Sequence, residues 1–225
     1  MIVRIPAVLS PADLRQCRDG LAKAEWIDGR ATAGQQSALG KQNQQLAEDA
    51  APACQLGKMI LARRGESAKF ISAALPARVF PPLFNRYGVG MGFDAHIDNA
   101  IRYAATTGAH YRTDVSCTLF LSDPADYDGG ELLIEGGVTP VKFSAGDLAL
   151  YPATTVHRVQ PVTRGVRLAA FFWVQSMVRE HERRDLLHGM DEAIALARRD
   201  LGDAHAAAIS LTGAYHNLIR MWAEV

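Results

Sequence analysis

Residues 85–99 read NRYGVGMGFDAHIDN, and the rest of the chain is best interpreted outward from them. In this stretch an imidazole and a carboxylate, those of His96 and Asp98, lie two residues apart. On an extended strand, residues i and i+2 point to the same face, so both side chains would aim at one point. An imidazole with a carboxylate is a mixed donor set that suits a divalent metal of intermediate hardness. The pair alone leaves a simpler alternative open, a buried histidine bonded to a nearby aspartate.

A third ligand candidate, His157, follows 59 residues after Asp98, in TTVHRVQPV. Two histidines and one carboxylate on one face of a metal form a facial triad, which leaves other coordination positions open for substrate and oxygen. His96, Asp98 and His157 are therefore the predicted metal ligands and catalytic centre.

Arg167 follows His157 by ten residues and opens an otherwise apolar, strand-like run in VTRGVRLAAFFWVQS. Burying a guanidinium in such a run costs several kcal/mol unless an anion compensates it. The planar guanidinium matches a carboxylate in bidentate fashion. A metal triad combined with a buried carboxylate receptor predicts a site for Fe(II) and a dicarboxylate cosubstrate.

Composition limits the class of protein. The 225 residues are 48% hydrophobic and 21% charged, which is ordinary for a globular protein with one substantial core. The 24 basic and 24 acidic residues balance, so nothing predicts binding to nucleic acid or to an anionic membrane. Cys17, Cys54 and Cys117 are interpreted as reduced thiols. No segment is typical of a signal peptide or a membrane span, and we expect a cytoplasmic protein.

The first third of the chain has mainly helical periodicity. A capping box at Ser10, with Pro11 after it, predicts a helix start. The pattern then predicts a loop over Ala33–Leu39, either a lid or a plain connection, a helix over Asn43–Arg64 that Pro52 breaks near Ala51, and a helix over Ser67–Leu75.

From Arg78 the periodicity becomes alternating, which predicts an antiparallel sandwich or barrel that closes as a jelly roll. The predicted strands are Phe80–Tyr87, Phe93–Asp98, Val115–Leu121, Glu131–Glu135, Val141–Phe143, Leu148–Tyr151, Val156–Val162 and Val166–Gln175. Past Met177 two more helices are predicted, Val178–Arg199 and His205–Trp222.

Three segments in order resemble a known family: RYGVGMGFDAHID, LFLSDPADYDGGEL and FSAGDLALYPATTVHRVQPVTRGVRLAAFFWVQS. They resemble the Fe(II)/2-oxoglutarate-dependent dioxygenases, and more narrowly the bacterial PKHD-type hydroxylases, a prolyl-4-hydroxylase-like group associated with iron uptake. The resemblance covers essentially the whole chain, including SMVREHERRDLLHGMDEAI. It implies a double-stranded β-helix core over residues 78–177, with a mostly helical support at 1–77 and a helical extension at 178–225.

The resemblance also implies a chemistry. His96, Asp98 and His157 would be iron ligands, and Arg167 would grip the distal carboxylate of 2-oxoglutarate. A small-molecule or peptidyl substrate would be hydroxylated with O2 as 2-oxoglutarate is converted to succinate and CO2, in a role linked to iron uptake or homeostasis. L-ascorbate is the reductant expected to maintain Fe(II).

The chain also departs from the family pattern. Some relatives place a cosubstrate-binding tyrosine on the strand after the first two ligands, where this chain has Leu119. Tyr87 resembles a cosubstrate-contacting tyrosine of the wider class, with a core aromatic as the alternative. His110 and Tyr111, in the predicted loop TTGAHYRTD, either contact substrate, with the loop as a lid, or are simply exposed. The C-terminal helices either mediate a homodimer or cap the barrel.

Two rival classes stay open at this point. A non-redox cupin-like binding module would explain the metal triad but would leave Arg167 without a carboxylate to bind. A zinc hydrolase also uses two histidines and a carboxylate, but the sequence has no HExxH helix to supply a general base.

Overall fold

The computed structural model describes residues 1–32, 34–135 and 140–224. Strands in these ranges are β1 (Val3–Ile5), β2 (Ile27–Asp28), β3 (Lys41–Gln42), β4 (Gln44–Gln45), β5 (Pro76–Val79), β6 (Leu83–Tyr87), β7 (Gly92–His96), β8 (Ile101–Ala104), β9 (Ala109–Arg112), β10 (Val115–Phe120), β11 (Tyr127–Gly129), β12 (Leu132–Ile134), β13 (Leu148–Pro152), β14 (His157–Val159), β15 (Val162–Gly165) and β16 (Arg167–Ser176). Helices are α1 (Pro11–Ala22), α2 (Gln35–Leu39), α3 (Ala51–Gly65), α4 (Ala68–Ala74), α5 (His181–Leu201) and α6 (Ala206–Trp222).

Two antiparallel sheets face each other. The larger has the strand order β1-β13-β10-β16-β6-β4-β2, with β5 also paired to β16, and the smaller has the order β12-β14-β7-β3. Phe120 and Tyr151 of the larger sheet pack in one buried cluster with Leu132, Ile134 and Val159 of the smaller sheet. The strands therefore enclose an interior, as the predicted jelly roll requires.

The other face of the larger sheet is covered by helices. Every residue of β10 is buried, because alternate side chains face the interior and the helices. Leu119 of β10 belongs to a cluster with Leu21 of α1, Ile60 of α3 and Phe70 of α4. The start of α1 is as predicted, since the Ser10 side chain caps the helix. This helical layer supports the sheet from outside and leaves the interior to the site.

The N-terminal third carries more strand than we predicted. The helix predicted over Asn43–Arg64 begins only at Ala51, because Pro52 lies in the first turn, where its missing N–H costs no hydrogen bond. The loop predicted over Ala33–Leu39 was also wrong, since Gln35–Leu39 is the short helix α2; Ala33 lies outside the described residues.

Several strand boundaries also differ from the prediction. Strand β6 begins at Leu83, since the preceding prolines cannot donate backbone hydrogen bonds to a ladder. Strand β7 ends at His96, so Asp98 lies just past the strand and not within it. The segment predicted as the loop TTGAHYRTD forms part of the hairpin β8–β9. Residue Val141 makes only an isolated bridge to Leu132.

Gly165 is required by the turn that connects two strands. Its φ is +74°, and an added Cβ would lie 2.1 Å from the carbonyl oxygen of Asp126. Gly165→Ala is expected to lower the free energy of unfolding by about 2–5 kcal/mol, since left-handed strain and the clash add. Gly108→Ala is the matched control: its φ is +65° but nothing lies within 4 Å, so about 1–2 kcal/mol is expected. Urea unfolding measures both, and equal losses would contradict the packing argument.

No helix in the described part of the chain is long and apolar enough to cross a membrane.

Candidate active site

The structure brings together the three side chains predicted as metal ligands. Potential ligand atoms of His96, Asp98 and His157 all lie within 4.8 Å of one another. His96 and His157 face each other in register on the neighbouring strands β7 and β14, with ring centroids 4.3 Å apart. Asp98, just past the end of β7, places a carboxylate oxygen 3.8 Å from Nε2 of His157. Two strands and one adjoining loop thus converge on a single point.

Backbone and side-chain contacts orient each of these groups. Nδ1 of His96 lies 2.8 Å from the carbonyl oxygen of Asp94, and Nδ1 of His157 lies 3.0 Å from that of Thr155. Since a carbonyl only accepts, each Nδ1 carries the proton and each Nε2 keeps its lone pair. The hydroxyl of Ser116 donates a hydrogen bond to the Asp98 carboxylate. Such second contacts fix metal ligands in place.

Electrostatics favour the neutral form of His96. Burial lowers the pKa of His96, and the neighbouring His157 lowers it further, against the opposing effects of the Asp94 carbonyl and Asp98. A neutral imidazole is the form that binds metal, so the site needs no proton loss from His96 near neutral pH. Two imidazoles with one carboxylate suit a non-haem Fe(II) centre, and the residues present fit that metal.

Arg167 lies in the cavity that the triad lines and is 1% exposed. Its guanidinium carbon is 5.3 Å from the ring centre of Tyr87 and 5.4 Å from that of Phe120. Among the described residues, no carboxylate lies within 4 Å of its nitrogens, and its Nε has no hydrogen-bond partner. A buried cation in this state calls for an anionic ligand. The residues around Arg167 therefore fit the distal carboxylate of 2-oxoglutarate.

Tyr87 lies beside Arg167, because strands β6 and β16 pair these two residues in register. The tyrosine is buried and lines the cavity. Burial raises the pKa of Tyr87, against the opposing effect of Arg167, so the phenol stays protonated and able to donate. This position is compatible with the cosubstrate contact that the resemblance implied.

Lys41, Asn43 and Gln45 are among the polar side chains of the cavity wall that were not predicted from the sequence. All three are buried, although each belongs to a residue type that usually stays exposed. They alternate at i, i+2 and i+4 across β3 and β4, which is the period of a strand. That alternation in KQNQQ was the available signal, but a helix was predicted from Asn43 and no role was predicted for Lys41.

The candidate substrate contacts His110 and Tyr111 do not line this cavity. Tyr111 is buried with its ring centre 5.4 Å from that of Phe80, and its hydroxyl lies 3.1 Å from that of Thr107. His110 is exposed beside Tyr103. Leu119 faces the helical layer and not the interior, so a tyrosine there would not reach the site in this chain.

Ser116 gives a test of how the carboxylate ligand is held. Ser116→Ala removes the hydroxyl that donates to Asp98 and is expected to weaken metal affinity roughly 10–100-fold, as loss of such outer partners does. Ser122→Ala is the matched control, because that buried serine bonds only to backbone groups of Val166 and Leu168. Calorimetric titration with Fe(II) under anaerobic conditions measures both, and an equal metal affinity in the two variants would contradict the role of Ser116.

Comparison with known proteins assigns the chain to a family. The family model of the 2OG-Fe(II) oxygenase superfamily matches residues 82–175, and that of the PKHD-type hydroxylase C-terminal domain matches residues 182–224. A PKHD-type hydroxylase of Methylobacterium nodulans is 55% identical over 100% of both chains. This chain belongs to the PKHD-type hydroxylase family. The resemblance to this family that was found in the sequence is confirmed.

Solved structures support the fold of this hydroxylase. A Pseudomonas putida prolyl-4-hydroxylase has a TM-score of 0.52 at 21% identity and covers 78% of this chain and 92% of its own. HygX of Streptomyces hygroscopicus, solved with nickel, 2-oxoglutarate and hygromycin B, has a TM-score of 0.53 at 16% identity and covers 80% of this chain and 84% of its own. The predicted jelly-roll fold is confirmed.

The family also fixes the class of reaction. The protein is a 2-oxoglutarate-dependent hydroxylase that uses Fe(II), O2 and an organic substrate. This reaction class agrees with the two imidazoles and one carboxylate of the candidate metal site and with the buried guanidinium of Arg167. The two rival classes considered from the sequence, a non-redox binding module and a zinc hydrolase, are therefore not adopted.

Proposed function

We propose that His96, Asp98 and His157 hold Fe(II), and that Arg167 binds the distal carboxylate of 2-oxoglutarate while a substrate is hydroxylated. The observation that carries this assignment is the convergence of the three ligand groups within 4.8 Å, in the cavity that Arg167 also lines. These residues share the catalytic work: the triad binds the metal, and the arginine orients the cosubstrate.

The metal and the cosubstrate supply the oxidative chemistry when they are bound. The protein chain orients the reactants and keeps water away from them. Tyr87 and Phe120 lie against the guanidinium of Arg167, and both rings are buried. They exclude water from the charge pair that 2-oxoglutarate would form there, which strengthens its attraction.

Asn43 and Tyr87 extend the cosubstrate pocket beyond Arg167. The register of β4 on β6, continued by one residue, puts Asn43 opposite Tyr87, which is itself opposite Arg167. Asn43 is 5% exposed, and hydrogen bonding from its side chain lowers the pKa of the Tyr87 phenol, against the larger effect of burial. An amide N–H, a phenol and a guanidinium in one row form a donor set for a carboxylate.

The finer aspects of the reaction rest on the resemblance alone. We propose L-ascorbate as the reductant, a cytoplasmic location and a link to iron uptake or homeostasis.

Both a peptidyl and a small-molecule substrate are compatible with the fold, which a prolyl-4-hydroxylase and a hygromycin B-binding protein share. Mass spectrometry of candidate substrates, incubated with enzyme, Fe(II), 2-oxoglutarate and labelled oxygen, tests the substrate class. A homodimer formed through the C-terminal helices stays a prediction, which light scattering tests by measuring the molar mass in solution.

An anaerobic titration tests the proposed assignment directly. Fe(II) and 2-oxoglutarate together are expected to give a visible charge-transfer band in the wild-type protein. At limiting cosubstrate the band is expected to be lost in Arg167→Ala. Absence of the band in the wild type, together with tight Zn²⁺ binding, would overturn the assignment in favour of a hydrolytic site.

A further inference from the structure

Two more cations, Lys41 and Arg102, line the same cavity as the triad. The side chain of Lys41 has its Nζ 5.9 Å from the ring centre of Phe171, and the guanidinium carbon of Arg102 is 4.4 Å from the ring of Trp173. Arg167, Phe171 and Trp173 share one face of β16, since they are separated by even numbers of residues. Six residues of strand span about 20 Å. The two cations thus lie toward the end of the cavity away from Arg167.

Both cations also lie close to the triad. The Asp98 carboxylate raises the pKa of Lys41 and of Arg102, while the charge of Arg102 lowers the pKa of Lys41. Burial, followed by the charge of Arg102, lowers the pKa of Lys41 to about 8. Other anions that act on them are Glu48, beside Arg102, and Asp28, beside Lys41. Asp28 is already paired with Arg30.

The charge of this end of the cavity changes when metal binds. Asp98 is the carboxylate that both cations face, and as a ligand it compensates the divalent ion. The divalent metal and the two cations together carry four positive charges, which outweigh the single negative charges of Asp98, Glu48 and the second carboxylate of 2-oxoglutarate, while the distal carboxylate is taken up by Arg167.

We propose that Lys41 and Arg102 form a subsite for an oxyanion of the hydroxylated substrate, a carboxylate or phosphate whose apolar body packs on Phe171 and Trp173. This inference rests on the proposed function, because the substrate is taken to be oxidised at the His96, Asp98 and His157 centre. A guanidinium and an ammonium in one cavity wall offer donors that match the oxygens of either group. The substrate class is therefore an organic anion with an apolar portion next to its charge.

Binding of simple probes to the anaerobic complex with Fe(II) and 2-oxoglutarate tests the proposal. Phenylacetate, phenyl phosphate and the neutral phenylacetamide are compared by isothermal titration calorimetry. At least one of the two anions is expected to bind ten or more times tighter than the amide, and the tighter one identifies the oxyanion. Equal binding of all three probes, or binding by none, would overturn the proposal without any substitution in the protein.

Substitutions of Lys41 and Arg102 then test whether these two residues cause the preference for the anionic probes. Lys41→Met and Arg102→Met are each expected to reduce the preference for the anion at least fivefold, with folding checked by thermal unfolding. Arg158→Met is the matched control, because Arg158 is exposed on β14, the strand of His157, and does not line the cavity. A preference kept in both cavity variants would contradict the assignment.

Titration of 2-oxoglutarate separates this inference from the proposed function. If Lys41→Met or Arg102→Met weakens 2-oxoglutarate binding tenfold and leaves the anion preference intact, the two cations serve the cosubstrate and the subsite is refuted. If Arg167→Met binds 2-oxoglutarate as the wild type does, the proposed function fails instead.

Discussion

Replacement of His96 by alanine is expected to abolish succinate production that depends on substrate. His96 is one of two imidazoles that face each other across β7 and β14, and its loss leaves one imidazole and one carboxylate for the metal. Removal of an outer partner of a metal ligand costs roughly 10–100-fold in affinity or activity, and removal of a ligand itself is expected to cost more. Succinate release, measured with Fe(II) and 2-oxoglutarate present, gives the rate, and anaerobic titration gives the metal affinity.

The control for this variant is another histidine. His110→Ala removes an exposed imidazole on β9, outside the cavity, and is expected to leave both the metal affinity and the succinate rate within about twofold of the wild type. Turnover near the wild-type level in His96→Ala would overturn the assignment of this residue as a ligand.

Arg167→Met is expected to weaken 2-oxoglutarate binding without weakening the fold. Truncation of one partner in a buried charged pair costs about 2–5 kcal/mol, or roughly 30-fold to several thousandfold in Kd. In the protein without cosubstrate, the guanidinium is buried with no carboxylate of the described residues within 4 Å. Replacing such a cation by an apolar side chain of similar length is often neutral or stabilising. The free energy of unfolding without ligand is therefore expected to stay level or to rise.

Two measurements together check this variant. Calorimetry gives the Kd of 2-oxoglutarate, and urea unfolding is run with and without the cosubstrate. At a concentration 100 times the wild-type Kd, the ligand stabilises the wild type by about 2.7 kcal/mol, and at the same concentration this increment should fall to about 0.9 kcal/mol or less in Arg167→Met. The control is Arg164→Met, which removes an exposed arginine paired with Asp128 outside the cavity. An unchanged Kd for 2-oxoglutarate in Arg167→Met would refute its role.

Part of the candidate metal site could be predicted from the sequence, because the signal from His96 and Asp98 is local. His96 and Asp98 are two residues apart, and the strand-like run after Arg167 marks it as buried. The prediction placed Asp98 within the strand, whereas the strand ends at His96. The carboxylate still reaches the site because Ser116, from the neighbouring sheet, donates a hydrogen bond to it. A tertiary contact of this kind has no signature in the local sequence.

The wall of the cavity was harder to predict than its metal ligands. Lys41 and Asn43 are buried only because β3 and β4 lie beside β7 and β6, far along the chain. The helix predicted from Asn43 followed instead from the apolar residues of Asn43–Arg64, which recur at three- and four-residue spacing. The strands β10 and β16 were predicted well, because burial on both faces leaves a nearly continuous apolar run in the sequence.

The pairing of β14 with β7 has a consequence for how the protein matures. His96 and His157 are 61 residues apart in sequence, and their rings meet only through this ladder. A nascent polypeptide cannot capture the ion until translation has passed residue 157 and the two segments have docked. Once captured, the ion should tie these segments together, so backbone amides of β14 should exchange with deuterium more slowly in the metal-loaded enzyme.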